Sequence, residues 1–254
     1  MTQKRRTAGG FSLVELSIVL VVVGILTSSA MVPLGASLEA RKYQQTQKQL
    51  QDVRHALHGF LAAHGRLPCP VALLDAPASA VYSSRFLPGD NSAEPLAAEV
   101  CAVSHGGVPT GLGVPGYASA SNVLLDSWGR PLRYAVTQTD NAEAGSQGKA
   151  DWITAGELSA VGASRLSADL VLCRNKAAQQ CVNRDLIATD IVWVVVSDGN
   201  VDTALGVQAE NQDNDDVFAV SSYSINKAQP FDDLLVWGSR SELVYWLLRA
   251  NWLP

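Results

Sequence analysis

The sequence has no Cys-x-x-Cys pair and no Cys/His cluster at zinc spacing, which disfavours a structural metal site. It has no surplus of positive charge: 19 Lys and Arg against 24 Asp and Glu leave a net charge of −5, so the overall potential that draws a protein to nucleic acid by counterion release is missing. A local basic patch needs no such surplus, so nucleic-acid binding stays open. Neither a Gly-x-Ser-x-Gly elbow nor a His-Glu-x-x-His helix is present, and with them go the commonest serine-hydrolase and metalloprotease signatures. His105-Gly106-Gly107 and Gly111-Leu112-Gly113 invite a phosphate-cradle reading, but no Gly-Lys-Ser/Thr follows them, and simple turns are the better reading. Aromatics are few at 7%, yet 47% apolar content suits a packed globule better than a disordered chain.

What the sequence does have is an apolar excess gathered near its start. Lys4, Arg5 and Arg6 form a basic head, Ala8-Gly9-Gly10 and Phe11-Ser12-Leu13-Val14-Glu15 follow, and residues 16–38 carry no charge. About 20 apolar residues at about 1.5 Å each cover a hydrocarbon core of about 30 Å, so this run is long enough to cross a bilayer. The basic head would keep the amino terminus in the cytoplasm and place the rest of the chain on the far side. A cleaved secretory signal would also explain the basic head and Ser28-Ser29-Ala30, but the apolar run continues through Met31, Val32 and Leu34. A plain signal anchor explains the span and not Glu15. An acid inside a membrane helix costs roughly 2.5–3.5 kcal/mol at its centre, so Glu15 asks for a partner.

Gly9-Gly10 followed by Phe11-Ser12-Leu13-Val14-Glu15-Leu16 resembles the cleavage and methylation segment of type IV prepilins and of the pseudopilins of type II secretion systems. The resemblance implies a cut by prepilin peptidase between Gly10 and Phe11 and N-methylation of Phe11 by the same enzyme. It also implies that the Glu15 carboxylate neutralises the terminal amine of a neighbouring subunit during assembly. Gly24 and Pro33 resemble the helix-softening residues of the family, with Pro33 one residue further along than in most major pilins. Electrostatics supports the pairing: an amine and a carboxylate at the membrane boundary are each costly alone and cancel when paired. The short reach of the amine favours a partner on another subunit, which would couple neutralisation to polymerisation.

After residue 38 the sequence turns polar, while Leu50, Val53, Leu57, Phe60, Leu61 and His64 recur every three or four residues, the mark of an amphipathic helix. With the span it predicts one rod from about Phe11 to His64, roughly 80 Å long at the standard rise, closed by Gly65 and Pro68. Residues 68–122 read as irregular and loop-rich. Asp126-Ser127-Trp128-Gly129 reads as a turn entering a strand at residues 132–136, and resembles a recurring Asp-x-Trp-Gly phrase of pilin-like proteins. Further strands are expected at 190–196, 217–223 and 234–237. The simplest architecture is α+β: a long N-terminal helix, its first half membrane-spanning, packed on an antiparallel β-sheet in a pilin-like fold. Ser241 is the candidate cap of a closing helix over 241–248, and Trp246, Trp252 and Leu253 are expected to pack on the sheet rather than meet a neighbouring subunit. The chain thus divides into a leader (1–10), a transmembrane helix (11–38), its amphipathic continuation (39–65) and a periplasmic globular domain (66–254).

Three smaller clusters complete the reading. His55 and His58 lie one turn apart but have no carboxylate or cysteine at ligand spacing, so ordinary polar or interfacial roles are preferred to a metal pair. The segment Glu210-Asn211-Gln212-Asp213-Asn214-Asp215-Asp216 reads first as a solvated acidic loop. Its alternative is a calcium site on Asp213, Asp215 and Asp216, because calcium takes such oxygens and some pseudopilins hold calcium in a loop of this region. Of the three pairings that four cysteines allow, sequence neighbours give Cys69–Cys101 and Cys173–Cys181 if the domain is exported to an oxidising compartment; four free thiols would suit a cytosolic domain.

The sequence therefore predicts a structural assembly protein and not an enzyme, with no cofactor expected beyond that calcium. The leading reading is a minor pilin that is assembled into, or primes, a type IV pilus. A type II secretion pseudopilin is the runner-up, and a membrane-anchored periplasmic enzyme or binding protein stands third. The implied partners are prepilin peptidase, other pilin or pseudopilin subunits met through the N-terminal helix, and the inner-membrane assembly platform. The implied location is the inner membrane before assembly and the pilus or pseudopilus after it.

Overall fold

A computed structural model describes residues 12–73, 101, 103–118, 122–141, 148–154, 156–174, 181, 185–200, 206–224 and 231–253, without the side chains of residues 26–34 and 36. Two compact units divide the chain, Met1–Gln44 and Gln45–Pro254. Helix α1 (Leu13–His64) contributes to both. In the second unit its buried stripe follows the predicted spacing: Leu50, Val53, Leu57 and Leu61 are all but inaccessible. The stripe is narrower than its pattern, since Phe60 is half-buried and His64 is exposed, stacked on Phe60 with centroids 4.1 Å apart.

Gly65 ends α1. Its N–H donates to the Leu61 carbonyl at 2.8 Å and its φ is +65°, the left-handed conformation that glycine adopts without penalty. The Trp252 ring lies against it so closely that a Cβ there would meet the indole at 2.6 Å. Glycine is needed twice over, for the backbone turn and for the aromatic lid.

Among the described residues six strands form one sheet: β1 (His105–Gly107), β4 (Arg133–Val136), β5 (Leu170–Arg174), β6 (Leu186–Ser197), β7 (Val217–Val220) and β8 (Leu234–Ser239). Two short strands, β2 (Tyr117–Ala118) and β3 (Leu124–Leu125), pair separately. The order is β1-β4-β6-β5-β7, with β8 also on β6. Ile191 stands opposite both Leu170 of β5 and Ser239 of β8. Residues 191–196 of β6 are almost fully buried, which explains a continuous Ile-Val-Trp-Val-Val-Val run in place of apolar/polar alternation.

The expected antiparallel sheet requires correction, because β5 pairs with β7 in parallel and the sheet is mixed. The added strand, β5, is a short continuous apolar run, Leu170-Val171-Leu172-Cys173, a pattern too brief to separate from other buried segments. Its Leu170 and Leu172 join Ala135, Ile191, Val194, Val196 and Phe218 in a buried cluster. Segment 103–118 is also more regular than its glycines suggest. It contains β1, because Gly106 lets the Val71 backbone approach where a Cβ would collide with it.

Helix α2 (Glu157–Val161) is a single turn. Helix α3 (Arg240–Arg249) follows β8 directly. Its cap is therefore Ser239 and not Ser241: the Ser239 hydroxyl accepts from the Glu242 N–H at 3.4 Å, while Ser241 already lies within the helix. Leu243 and Leu247 are buried, and Trp252 Nε1 donates to the Ala62 carbonyl at 2.8 Å.

The Asp126 turn fastens helix to sheet. Asp126 Oδ1 accepts from the Trp128 and Arg130 N–H groups, each at 2.9 Å, and Oδ2 accepts from the Ser197 hydroxyl at 2.6 Å. On the helix side, the Ser127 N–H donates to Thr46 Oγ1 at 3.2 Å and Gln49 Nε2 donates to the Leu125 carbonyl at 2.9 Å.

Candidate functional site

Gly10 and Phe11 lie outside the described residues. Immediately after them, the Ser12 hydroxyl accepts from the Val14 N–H at 3.3 Å and its carbonyl accepts from the Leu16 N–H at 3.1 Å, the bonds of a helix cap. Glu15 stands in the first turn of α1, where a carboxylate is favoured by the positive end of the helix dipole. From there the helix is apolar on every side: Leu13, Val14, Leu16, Ile18, Val19, Leu20, Val21, Val22, Val23 and Ile25 are all exposed, from 48% at Val22 to 86% at Leu13. Such a helix suits apolar surroundings and not water. Among the described residues no helix is long and apolar enough to cross a membrane.

The family model of the prokaryotic N-terminal methylation motif matches residues 5–31. The chain carries the prepilin-type motif. This is the signature segment of type IV pilins and pseudopilins, and it covers Gly10, Phe11 and Glu15. No curated protein and no solved structure matches the chain. The motif describes the amino-terminal segment, and the remaining candidates are placed by geometry.

Cys69 is bonded to Cys101 and Cys173 to Cys181. The first pair is buried and closes a separation of 32 residues; the second ties the end of β5 over a separation of 8.

In the acidic loop, the carboxylates that lie together are not the trio of the calcium alternative. Glu210, Asp213 and Asp215 have carboxylate oxygens within 4.8 Å of one another, whereas Asp216 stands apart, 3.9 Å from His105 Nε2. The Asp216 carbonyl, just before β7, accepts from the Val171 N–H of β5. Glu210 takes its place from a 3-10 helix, Gly206–Gln212; its position three residues before Asp213 was the available signal. The three are oxygen donors of the kind calcium takes, and two of them also serve local turns: Asp213 Oδ1 accepts from the Asp215 N–H, and Asp215 Oδ1 from the Val217 N–H.

His105 pins this loop to the sheet. Its Nε2 donates to the Asp215 carbonyl at 2.7 Å, Nδ1 is 2.9 Å from the Ser104 hydroxyl, and the ring stacks on Phe218. His55 is exposed while His58 is buried against Trp193 and Trp246, so the two rings sit in different surroundings.

A buried polar group that the sequence reading did not single out joins the ends of β6 and β8. Asp198 Oδ2 accepts from Arg133 Nε at 3.0 Å, Asp232 Oδ2 from the Asn200 N–H at 2.6 Å, and Asp233 Oδ2 from Asn211 Nδ2 at 2.7 Å. Burial, with repulsion from Asp198 and Asp232, pushes the Asp233 carboxyl up to about 8 against the Asn211 hydrogen bond. A folded-state value raised above the ordinary 3.8 gives stability that is present below that value and lost as pH rises through 8. Asp233→Asn, which keeps the acceptor and removes the titration, is expected to be more stable than the parent at pH 9 by on the order of 2 kcal/mol. At pH 5 the two should differ much less. Urea unfolding at the two pH values measures both.

Proposed function

We propose that this chain is a minor subunit of a type IV pilus, made as a membrane-anchored prepilin and assembled into, or priming, the filament. The observation that carries the reading is the methylation motif at residues 5–31, joined to a capped helix whose apolar residues are exposed on every side. Residues 1–10 are the leader and prepilin peptidase cuts between Gly10 and Phe11. Residues 11–38 cross the inner membrane, 39–65 continue the helix, and 66–254 form the periplasmic domain, where the two disulfides suit an oxidising compartment. The same apolar helix then changes surroundings from lipid to the matching helices of neighbouring subunits. Glu15, costly in either setting alone, is neutralised by the methylated amine of an adjoining Phe11. The inner-membrane assembly platform would hold the subunit during that exchange.

A type II secretion pseudopilus uses the same chemistry, and the large, irregular soluble part favours the pilus. Purification of the assembled complex separates them by whether a pilus motor and its secretin, or the secretion-system counterparts, accompany the chain.

Mass spectrometry of the mature protein tests the processing: an N-methylated Phe11 is expected, and a first residue at Met31 would replace this reading with ordinary secretion. Glu15→Ala should be cut and methylated normally yet fail to assemble. An uncompensated buried charge costs about 3–5 kcal/mol, so its incorporation into sheared filaments should fall roughly a hundredfold or more. Normal filaments from that variant would sink the pairing.

A further inference from the structure

Helix α3 is held on the last turns of α1 by one compact cluster. Arg54 Nη2 bonds Glu242 Oε1 at 2.5 Å. His58, four residues along α1, brings its Nε2 to 3.8 Å from the same oxygen. The imidazole stands between two indoles, Trp193 of β6 at 6.0 Å in an edge arrangement and Trp246 of α3 at 5.7 Å. His58 is only 7% exposed, and its buried Nε2 has no hydrogen-bond partner.

We propose that His58 is the pin of an acid-sensitive latch: neutral, it fills the slot between α1, β6 and α3 as an apolar plate; protonated, it leaves the slot and α3 comes away from α1.

A neutral ring can leave Nε2 as a bare acceptor at a modest cost, whereas the imidazolium needs acceptors for both N–H groups. The nearest carboxylate oxygen on Nε2 is beyond hydrogen-bond length, and the Arg54 guanidinium already neutralises it. The charged groups facing the ring are Arg54 and His55 on α1 and Glu242 on α3, while β6 presents the Trp193 indole. Burial, Arg54 and His55 lower the His58 value below its ordinary 6.5 and only Glu242 raises it. A depressed folded-state value means stability that is present above pH 6.5 and lost as pH falls through the folded value. The loss should be read at α3, because Glu242 and Trp246 of the cluster belong to it. Leu243 and Leu247, the buried face of α3, are what release would uncover.

Hydrogen exchange of the full chain in detergent between pH 7.5 and 5, corrected for intrinsic rates, tests the latch together with an NMR titration of the histidine rings. The His58 ring is expected to titrate below its ordinary 6.5. Through its midpoint, amides of residues 243–248 should lose protection by about tenfold per unit of displaced pKa, while residues 192–196 of β6 keep theirs. In His58→Phe, which fills the slot and does not titrate, α3 should stay protected across the range. The latch is overturned if His58 titrates at or above 6.5, if α3 protection is unchanged through the His58 midpoint, or if His58→Phe loses α3 at the same pH as the parent. Should that variant not fold, the parent's titration and exchange curves decide alone.

Discussion

Asp126→Ala should unfold with about 3–5 kcal/mol less stability than the parent, read as a fall in the urea midpoint at unchanged slope. The carboxylate is 1% exposed and serves the Trp128 and Arg130 N–H groups and the Ser197 hydroxyl. Truncation removes the acceptor of three donors, the Ser197 hydroxyl buried and the two N–H groups part-buried, and each buried donor left unmade costs about 1–3 kcal/mol. The damage should spread to both neighbours of the turn. Thr46 and Gln49 of α1 bond its flanks, and Arg130 reaches the Asn200 carbonyl beyond β6 at 2.8 Å. Asp126→Asn is the control. Its carbonyl still accepts from both N–H groups and the Ser197 hydroxyl can rotate to accept from the amide, so about 1 kcal/mol should be lost. Equal losses in the two variants would show that charge, and not the hydrogen-bond geometry, sets the value of this residue.

Replacing both Cys69 and Cys101 by serine is expected to cost about 3–4 kcal/mol, because the cross-link spans 32 residues and the entropy it removes from the unfolded chain grows with the logarithm of the loop. A domain of this size should then melt roughly 10 °C lower. The same change at Cys173 and Cys181, which span 8 residues, should cost nearer 2 kcal/mol. The order of the two effects is the sharper test. If the short loop proves the more valuable, native-state packing around Cys173, fully buried in β5, outweighs chain entropy.

The elements legible in the sequence were those with a period or a punctuation mark. The three- and four-residue recurrence from Leu50 to Leu61 gave the buried face of α1, and Gly65 gave its end. The Asp126 turn gave the entry to β4, and the β-branched run at 191–196 gave the central strand. What stayed hidden lacked a local signal. β5 has only four apolar residues in a row, and β1 is built on glycines that ordinarily argue against a strand. The parallel pairing of β5 with β7 depends on residues more than forty positions apart. Among the candidate sites, the methylation motif was legible because its chemistry is contiguous: Gly10, Phe11 and Glu15 lie within six positions. The Asp198, Asp232 and Asp233 group was not, because strand ends assemble it from separate stretches. In the acidic loop, the proximity of Glu210 to Asp213 and Asp215 depends on the 3-10 turn that carries Glu210, which no local pattern announces.

The lid that Trp252 places on Gly65 has a bearing on the order of events in folding. The indole meets a carbonyl of α1 that was made 190 residues earlier, and Glu242 meets Arg54 across 188. Contacts so distant along the chain close late and slowly, since the intervening loop must first be brought round. During synthesis the amino-terminal helix therefore waits, its inner face unsealed, until residues 242–252 have left the ribosome.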